Sequence, residues 1–279
     1  WTTIESWPDP HHGVRAANPR PFRIHYAMKP THRPAWPYPR VIAHRGGGAL
    51  APENTLAALD KGAQFGMTMV EFDAKLSHDG RPFLLHDDRV ERTSNGHGAA
   101  AAMTYAELAA LDAGTWFDPV FAGETMPTLE AVAHRCRVLG LAANVELKPC
   151  PGTDSATGLR VARETAHLWA EVQPPPLLSS FSVEALEAAR IAAPDLPRGL
   201  LLDDIPENWL EQARRLECVS LHANHRKLSP ALVTEILAAG LWLMVYTVNQ
   251  PERALELKQW GVDAICTDRI DLIGPHFLD

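Results

Sequence analysis

Two scarcities narrow the field at once. The chain has only four cysteines in 279 residues, Cys136, Cys150, Cys218 and Cys266, with no C-x-x-C pair among them. Their scattered, mostly apolar settings read as small core residues of a reduced, cytoplasmic protein rather than a disulfide framework or a zinc site. A basic excess is also missing: 26 Lys and Arg stand against 34 Asp and Glu, for a net charge of −8. That balance argues against a nucleic-acid partner, which needs a positive face to meet phosphates. No apolar run approaches the ~18 residues of a membrane span, and no signal-like core stands near the N-terminus. A small anionic ligand survives these exclusions, because it responds to local charge. The apolar share of 46% is enough for a large core, and the length suits a single α/β barrel of typically ~250 residues.

Residues 1–40 differ from the rest, with 8 of the 23 prolines, four histidines, and six Lys/Arg against two acids. Such a stretch builds neither a periodic helix nor a strand ladder. Residues 1–38 are therefore expected to form a Pro-rich arm, extended or disordered, ahead of a barrel over 39–279. From Pro39 onward, strand-like runs at 41–44, 69–73, 143–148, 177–181, 199–202, 218–222, 241–247 and 264–268 alternate with helical patterns near 54–66, 128–140, 157–172, 182–193, 206–216, 229–240 and 251–260. Ser229-Pro230 and Asn249-Gln250-Pro251-Glu252 are good helix starts, and Gly66, Gly140, Gly240 and Gly261 stand where helices end. Near-continuous apolar strands alternating with helices predict a parallel sheet covered on both faces. Eight units suggest a closed (β/α)₈ TIM barrel, with an open doubly wound sheet as the alternative. Ser77-His78-Asp79-Gly80-Arg81 carries a hairpin signal. Residues 88–127 are too long for an ordinary barrel loop and are expected to be a small insertion over one end of the barrel, with Thr93 and Asn95 fixing the turn at its start.

The most informative segment is His44-Arg45-Gly46-Gly47-Gly48, followed by Pro52-Glu53-Asn54-Thr55. It places a base and a fixed cation where the first strand gives way to a glycine turn, with Asn54 or Thr55 able to cap the next helix. Exposed backbone N–H groups beside them suit an anionic, phosphate-bearing ligand. A buried structural histidine and a surface arginine are the plainer explanation of the same residues.

Barrel active sites are built at the C-terminal ends of the strands. There the second strand carries Glu71-Phe72-Asp73 and the third Glu146-Leu147-Lys148, each with two charges on one side. Buried strands do not tolerate such groups uncompensated. Three carboxylates converging at one rim point to a hard divalent cation with oxygen ligands, Mg²⁺ or Ca²⁺; the alternative is an internal ion-pair network closed by Lys148 and Arg45. Zinc is disfavoured for want of a His/Cys cluster. His44 and His86 form a plausible general acid–base pair, with Asp87 either orienting an imidazole or capping a turn. His222 and His225 read as wall or structural residues. Phe181, Trp242 and Tyr246 read as core or pocket lining, with substrate contact expected of Phe181 and Tyr246.

Taken together, HRGGGALAPENT, EFDAKLSHDGRPFLLHDDRVERTSNG, NVELKP, LLSSFS, YTVN and GVDAICTDRIDLIG resemble the motifs of glycerophosphodiester phosphodiesterases, in order from about Trp36 to the C-terminus. The likeness is greatest to the bacterial cytoplasmic enzyme associated with glycerol-3-phosphate uptake. It implies a (β/α)₈ barrel with a small insertion that hydrolyses glycerophosphodiesters, such as glycerophosphocholine or glycerophosphoethanolamine, to sn-glycerol 3-phosphate and an alcohol. It further implies that His44 and His86 are the acid–base histidines, that Glu71, Asp73 and Glu146 hold Mg²⁺ or Ca²⁺, and that Arg45 and Lys148 contact the phosphate. Members often carry Trp where this chain has Tyr246. The same scaffold admits a lyase that stops at a cyclic phosphate; a non-catalytic glycerophosphodiester-binding protein is the reading from another class.

Overall fold

The computed structural model describes residues 33–279. Its strands are β1 (Val41–Ala43), β2 (Met69–Leu76), β3 (Pro82–Leu84), β4 (Ala142–Leu147), β5 (Leu177–Ser180), β6 (Arg198–Leu202), β7 (Ser220–Asn224), β8 (Trp242–Tyr246) and β9 (Ala264–Thr267). Its α-helices are α1 (Leu56–Gln64), α2 (Tyr105–Ala109), α3 (Leu129–Leu139), α4 (Asp154–Leu168), α5 (Val183–Ala192), α6 (Trp209–Arg215), α7 (Pro230–Ala238) and α8 (Pro251–Trp260). Eight strands pair in parallel in the order β1-β9-β8-β7-β6-β5-β4-β2, and β2 returns to β1 through Ala43 and Val70. The sheet is therefore a closed TIM barrel, not an open doubly wound sheet. β3 lies outside the ring, antiparallel to β2, after the turn at Ser77–Arg81.

Strand alternation divides the side chains cleanly. Val41, Ala43, Val70, Phe72, Val145, Leu178, Leu200, Leu221 and Val245 face outward into one continuous apolar layer beneath the helices. Ile42, Met69, Leu177, Met244, Ala264 and Cys266 face inward as a second cluster. The inward positions one step further along β2 and β4 are Glu71, Asp73, Asn144 and Glu146, so the polar groups collect at the C-terminal end.

Residues 1–32 of the expected arm lie outside the described residues. Its last residues, 33–38, pack against the N-terminal end of the barrel: the Trp36 ring stands 5.0 Å from Tyr38 and 5.5 Å from Trp242, Trp242 Nε1 donates to Pro34 O at 2.9 Å, and Arg33 pairs with Asp263.

Local signals account for most helix boundaries. Thr55, Thr128, Ser182 and Ser229 accept from the first turns of α1, α3, α5 and α7, and Gly140 and Gly261 close α3 and α8 in the left-handed region. α6 starts later than its apolar pattern suggests because Trp209 N bonds Pro206 O in a turn. Between β3 and α3 the chain builds its own small core from Phe83, Leu85, Val90, Leu108 and Met126. There Ser94 Oγ, not Thr93, bonds Val90 O at 2.7 Å, and Asn95 Oδ1 accepts from Asp112 N at 2.9 Å, tying two arms of the segment together.

The tightest helix contact is between α4 and α5, where a Cβ on Gly158 would stand 2.1 Å from Ala185 O. Gly158→Ala should therefore force the two helices apart and cost roughly 1–3 kcal/mol. Urea unfolding should show a lowered midpoint with an unchanged slope, whereas wild-type stability would contradict this packing.

Candidate active site

β1, β2 and β4 are neighbours in the ring, and their C-terminal ends bring the predicted carboxylates together. One oxygen each from Glu71, Asp73 and Glu146 lie within 4.8 Å of one another, and all three residues are buried. Lys148 Nζ sits 2.7 Å from Glu146 Oε1 and 3.6 Å from Asp73 Oδ1. Arg45 Nε is 3.6 Å from Asp73 Oδ2, while Arg45 Nη1 donates to Glu53 Oε1 at 2.7 Å.

Two left-handed residues, Arg45 (φ 52°) and Asn54 (φ 59°), make this geometry. Such backbone costs energy and persists where its surroundings fix it. Here the turn aims Arg45 N at Glu71 Oε2, 3.1 Å away. Asn54 N bonds Arg45 O at 3.1 Å. The Asn54 side chain clamps Asp73 twice, donating from Nδ2 to Oδ2 at 2.8 Å and accepting from Asp73 N at 3.1 Å.

The two cations do not neutralise the trio evenly. Burial opposes ionisation of Asp73, but Lys148 and Arg45 outweigh it and bring its carboxyl down to about 2. Burial, reinforced by the charge of Asp73, pushes Glu71 up to about 8 and Glu146 up to about 7. Glu71 Oε1 has no hydrogen-bond partner among the described residues. An ion-pair network thus satisfies one carboxylate and leaves two strained. A divalent cation fits what remains: an all-oxygen donor set, one donor already unpaired, and surplus negative charge.

The histidines flank this centre. His44 Nδ1 lies 2.6 Å from Asp268 Oδ1, and Nε2 lies 3.8 Å from Glu71 Oε2. Asn249 holds Asp268 from both sides, through Nδ2 to Oδ2 at 2.9 Å and from Asp268 N to Oδ1 at 2.9 Å. Burial alone would lower the His44 pKa, but the Asp268 hydrogen bond and the Glu71 charge raise it above its ordinary value. His86 Nδ1 lies 2.7 Å from Asp87 Oδ1, so Asp87 contacts the ring it was one candidate to orient. Burial, together with Arg45 and Lys148, lowers the His86 pKa against the pull of Asp73 and Asp87.

These groups open into a cavity of about 230 Å³ whose walls include His44, His86, Lys148, Phe181, Met244 and Tyr246. Phe181 is 44% exposed; its ring meets Tyr246 edge-on at 5.8 Å, and Lys148 Nζ stands 5.4 Å from its centroid. Tyr246 Oη donates to Leu202 O at 3.0 Å. All nine predicted site residues therefore gather at one mouth, Asp73 just beneath it. Trp242 does not; it belongs to the aromatic group at the opposite end. His222 is buried beside Ser220 Oγ at 3.0 Å and pushed down to about 3 by burial, and His225 receives Arg253 Nε at 3.2 Å. A larger open hollow of about 590 Å³ between α1 and α3 includes Asp60, His134 and Arg135, but lies apart from the carboxylates. Sequence reasoning missed Asn54 as a clamp, and Asp268 with Asn249 as the support of His44. Asp268 becomes visible only when the ring closes and sets β9 beside β1.

A closed parallel barrel with an oxygen-donor centre, two imidazoles and two cations at its C-terminal mouth defines the class: a TIM-barrel enzyme for an anionic substrate. Residues 44–272 match the glycerophosphoryl diester phosphodiesterase family. A glycerophosphodiester phosphodiesterase of Caldanaerobacter subterraneus is 34% identical over 229 residues, 82% of this chain and 93% of its own. A phosphodiesterase of Oleispira antarctica, solved in complex with the product sn-glycerol-3-phosphate, has a TM-score of 0.80 at 36% identity, covering 86% of this chain and 97% of that one. A glycerophosphodiester phosphodiesterase of Agrobacterium tumefaciens has a TM-score of 0.72 at 31% identity, covering 84% and 98%. The chain belongs to the glycerophosphodiester phosphodiesterase family, phosphoric diester hydrolases built on this barrel.

The strained carboxylates give the metal-free protein a defined pH response. Glu71 and Glu146 have folded values of about 8 and about 7 against a reference of 4.5. These two carboxyls thus hold more protons in the folded chain than in the unfolded one in that window, and their contribution to stability falls as pH rises through it. Asp73, at about 2 against 3.8, has already made its full contribution above about pH 5. Buried neutral histidines, His222 above all, add stability as pH rises to about 6.5 and oppose this trend below that point. Melting of chelator-treated protein should therefore show Tm declining from about pH 7 to 8, a smaller decline in Glu71→Gln, and recovery with Ca²⁺ or Mg²⁺. A Tm rising over that window would refute the charge assignment.

Proposed function

We propose that the protein hydrolyses glycerophosphodiesters, glycerophosphocholine and glycerophosphoethanolamine among them, to sn-glycerol 3-phosphate and an alcohol. The reading assigns Mg²⁺ or Ca²⁺ to Glu71, Asp73 and Glu146, and acid–base roles to His44 and His86. The observation that carries it is geometric: two imidazoles, His44 with Nδ1 on Asp268 at 2.6 Å and His86 with Nδ1 on Asp87 at 2.7 Å, flank a carboxylate trio whose oxygens lie within 4.8 Å of one another. Their pKa values are displaced in opposite directions, His44 upward and His86 downward. Titratable pairs whose environments push them apart mark acid and base. A glycerol-phosphate moiety in the substrate is suggested by the Oleispira antarctica complex with the product sn-glycerol-3-phosphate.

The residues divide the work as follows. Arg45, whose Nε lacks a hydrogen-bond partner among the described residues, and Lys148 bind the phosphate and fix its orientation. When bound, the cation supplies Lewis-acid polarisation and offsets developing charge. His86, neutral with Asp87 at Nδ1, takes the nucleophile's proton at Nε2. His44, protonated and held at Nδ1 by Asp268, gives its Nε2 proton to the departing alcohol oxygen. Phe181 and Tyr246 line the alcohol or glycerol side of the cavity.

The unit that does this spans residues 39–279, with an insertion over about 88–127. A cytoplasmic location is supported by four unpaired, buried cysteines. Among the described residues no helix is long and apolar enough to cross a membrane.

Purified protein should release glycerol 3-phosphate from glycerophosphocholine, with activity removed by EDTA and restored by Mg²⁺ or Ca²⁺. His44→Ala should lower kcat on the order of 10²–10⁴-fold. Following the product by ³¹P NMR separates the monoester from a cyclic phosphate. Full activity in His44→Ala would sink the acid assignment, and ligand binding without turnover across both metals would sink the hydrolase reading.

A further inference from the structure

Arg92 lies outside the cavity, in the segment between β3 and α3, yet it makes the densest set of charged hydrogen bonds around the site. One edge of its guanidinium faces Asp87, with Nε donating to Oδ2 at 2.6 Å and Nη2 to Oδ1 at 3.0 Å. The other edge faces Glu53, with Nη1 donating to Oε2 at 2.7 Å and Nη2 to Oε1 at 2.8 Å. Each carboxylate shares one of these same oxygens inward: Asp87 Oδ1 with His86 Nδ1 at 2.7 Å, and Glu53 Oε1 with Arg45 Nη1 at 2.7 Å. An unbroken line runs from His86 through Asp87, Arg92 and Glu53 to Arg45.

We propose that Arg92 is a positioning residue, which fixes the proton-accepting imidazole of His86 and the phosphate-binding guanidinium of Arg45 relative to each other. The proposal rests on the hydrolase reading above for the roles of His86 and Arg45. His86 follows the hairpin strand and Arg45 follows β1, so the two stand on separate loops. Arg92 bridges them with four hydrogen bonds from a planar group that has little freedom once both edges are taken.

A solvent-exposed ion pair ordinarily contributes little, but paired bidentate contacts in a network are the exception. Lysine cannot replace this geometry, because an ammonium has no two edges to present to two carboxylates. Arg92 itself is held by its own segment. Val90 is fully buried in the small core there, Val90 N bonds Gly98 O at 3.1 Å, and Ser94 Oγ bonds Val90 O. The segment thereby gains a task at the site: it carries the bridge that sets one histidine against one arginine.

The test compares Arg92→Ala and Arg92→Lys with the wild type in the metal-loaded enzyme. Both variants should lose roughly 10²-fold in kcat, the scale of a small misplacement, with Tm within a few degrees of wild type. Methylguanidinium should restore part of the loss in Arg92→Ala, because the side chain it replaces is 44% exposed; methylammonium should not. ¹⁵N NMR of the His86 ring reads positioning without turnover: the Nδ1–H tautomer should dominate in wild type and mix with the other in Arg92→Ala. Wild-type kcat in Arg92→Lys, or an unchanged tautomer ratio in Arg92→Ala, would overturn the proposal. Absence of diester turnover in the wild type would instead count against the hydrolase reading, leaving the tautomer measurement to judge Arg92.

Discussion

Three carboxylates within 4.8 Å of one another in a barrel mouth cannot all ionise on the strength of two neighbouring cations. Burial, with the charge of Asp73 added to it, exceeds what the neighbouring cations return to Glu71 and Glu146. The result is the uneven division seen here, with Asp73 held ionised and Glu71 and Glu146 pushed toward the neutral form. Most of the surrounding structure answers to this constraint. The left-handed backbone of Arg45 directs an N–H at Glu71, the Asn54 amide grips Asp73 from two sides, and Lys148 bridges Asp73 and Glu146. A divalent cation held by these three oxygen donors would relieve this strain.

Ring closure does the second piece of work. β9 lies beside β1 in the order of the sheet, which sets Asp268 against His44 although 224 residues separate them. The glycine turn after β1 permits the approach: a Cβ on Gly48 would stand 2.2 Å from Asp268 O, and one on Gly62 of α1 would stand 2.4 Å from Gly46 O. Those glycines make room for backbone against backbone at the seam of the barrel, rather than cradling a ligand. The His44 side of the site is thus a product of topology, whereas the His86 side, with Asp87, is built locally beyond the hairpin.

That difference explains what could be read from the chain alone. Strand and helix periods are local, so the eight ring strands, the hairpin and the positions of His44, Glu71, Asp73, His86, Glu146 and Lys148 at strand ends were all legible. Asp268 was visible as a residue at a strand end, but its partner was not, because nothing local says which strand closes on which. Asn54 had an ordinary local explanation as a helix cap, and Thr55 in fact fills that role. Arg92 sat in a segment without period, where only three-dimensional placement shows that both of its edges are occupied.

The two histidines differ in how their surroundings hold a proton. Imidazoles in one cavity with similar surroundings would titrate together, and neither would be reliably acid or base near neutrality. His44 gains its proton affinity chiefly from its hydrogen bond to Asp268, against the opposing effect of burial. His86 would be drawn the same way by Asp73 and Asp87, but burial, Arg45 and Lys148 prevail, and the carboxylate of Asp87 is itself held far below the usual range chiefly by the Arg92 hydrogen bond. An anion already engaged by a bidentate arginine attracts a proton on a neighbouring imidazole less than a free one would. By tying down Asp87, the segment after β3 leaves the geometry of an orienting carboxylate in place while weakening its electrostatic pull. The two imidazoles, each beside a carboxylate, are thereby displaced in opposite directions.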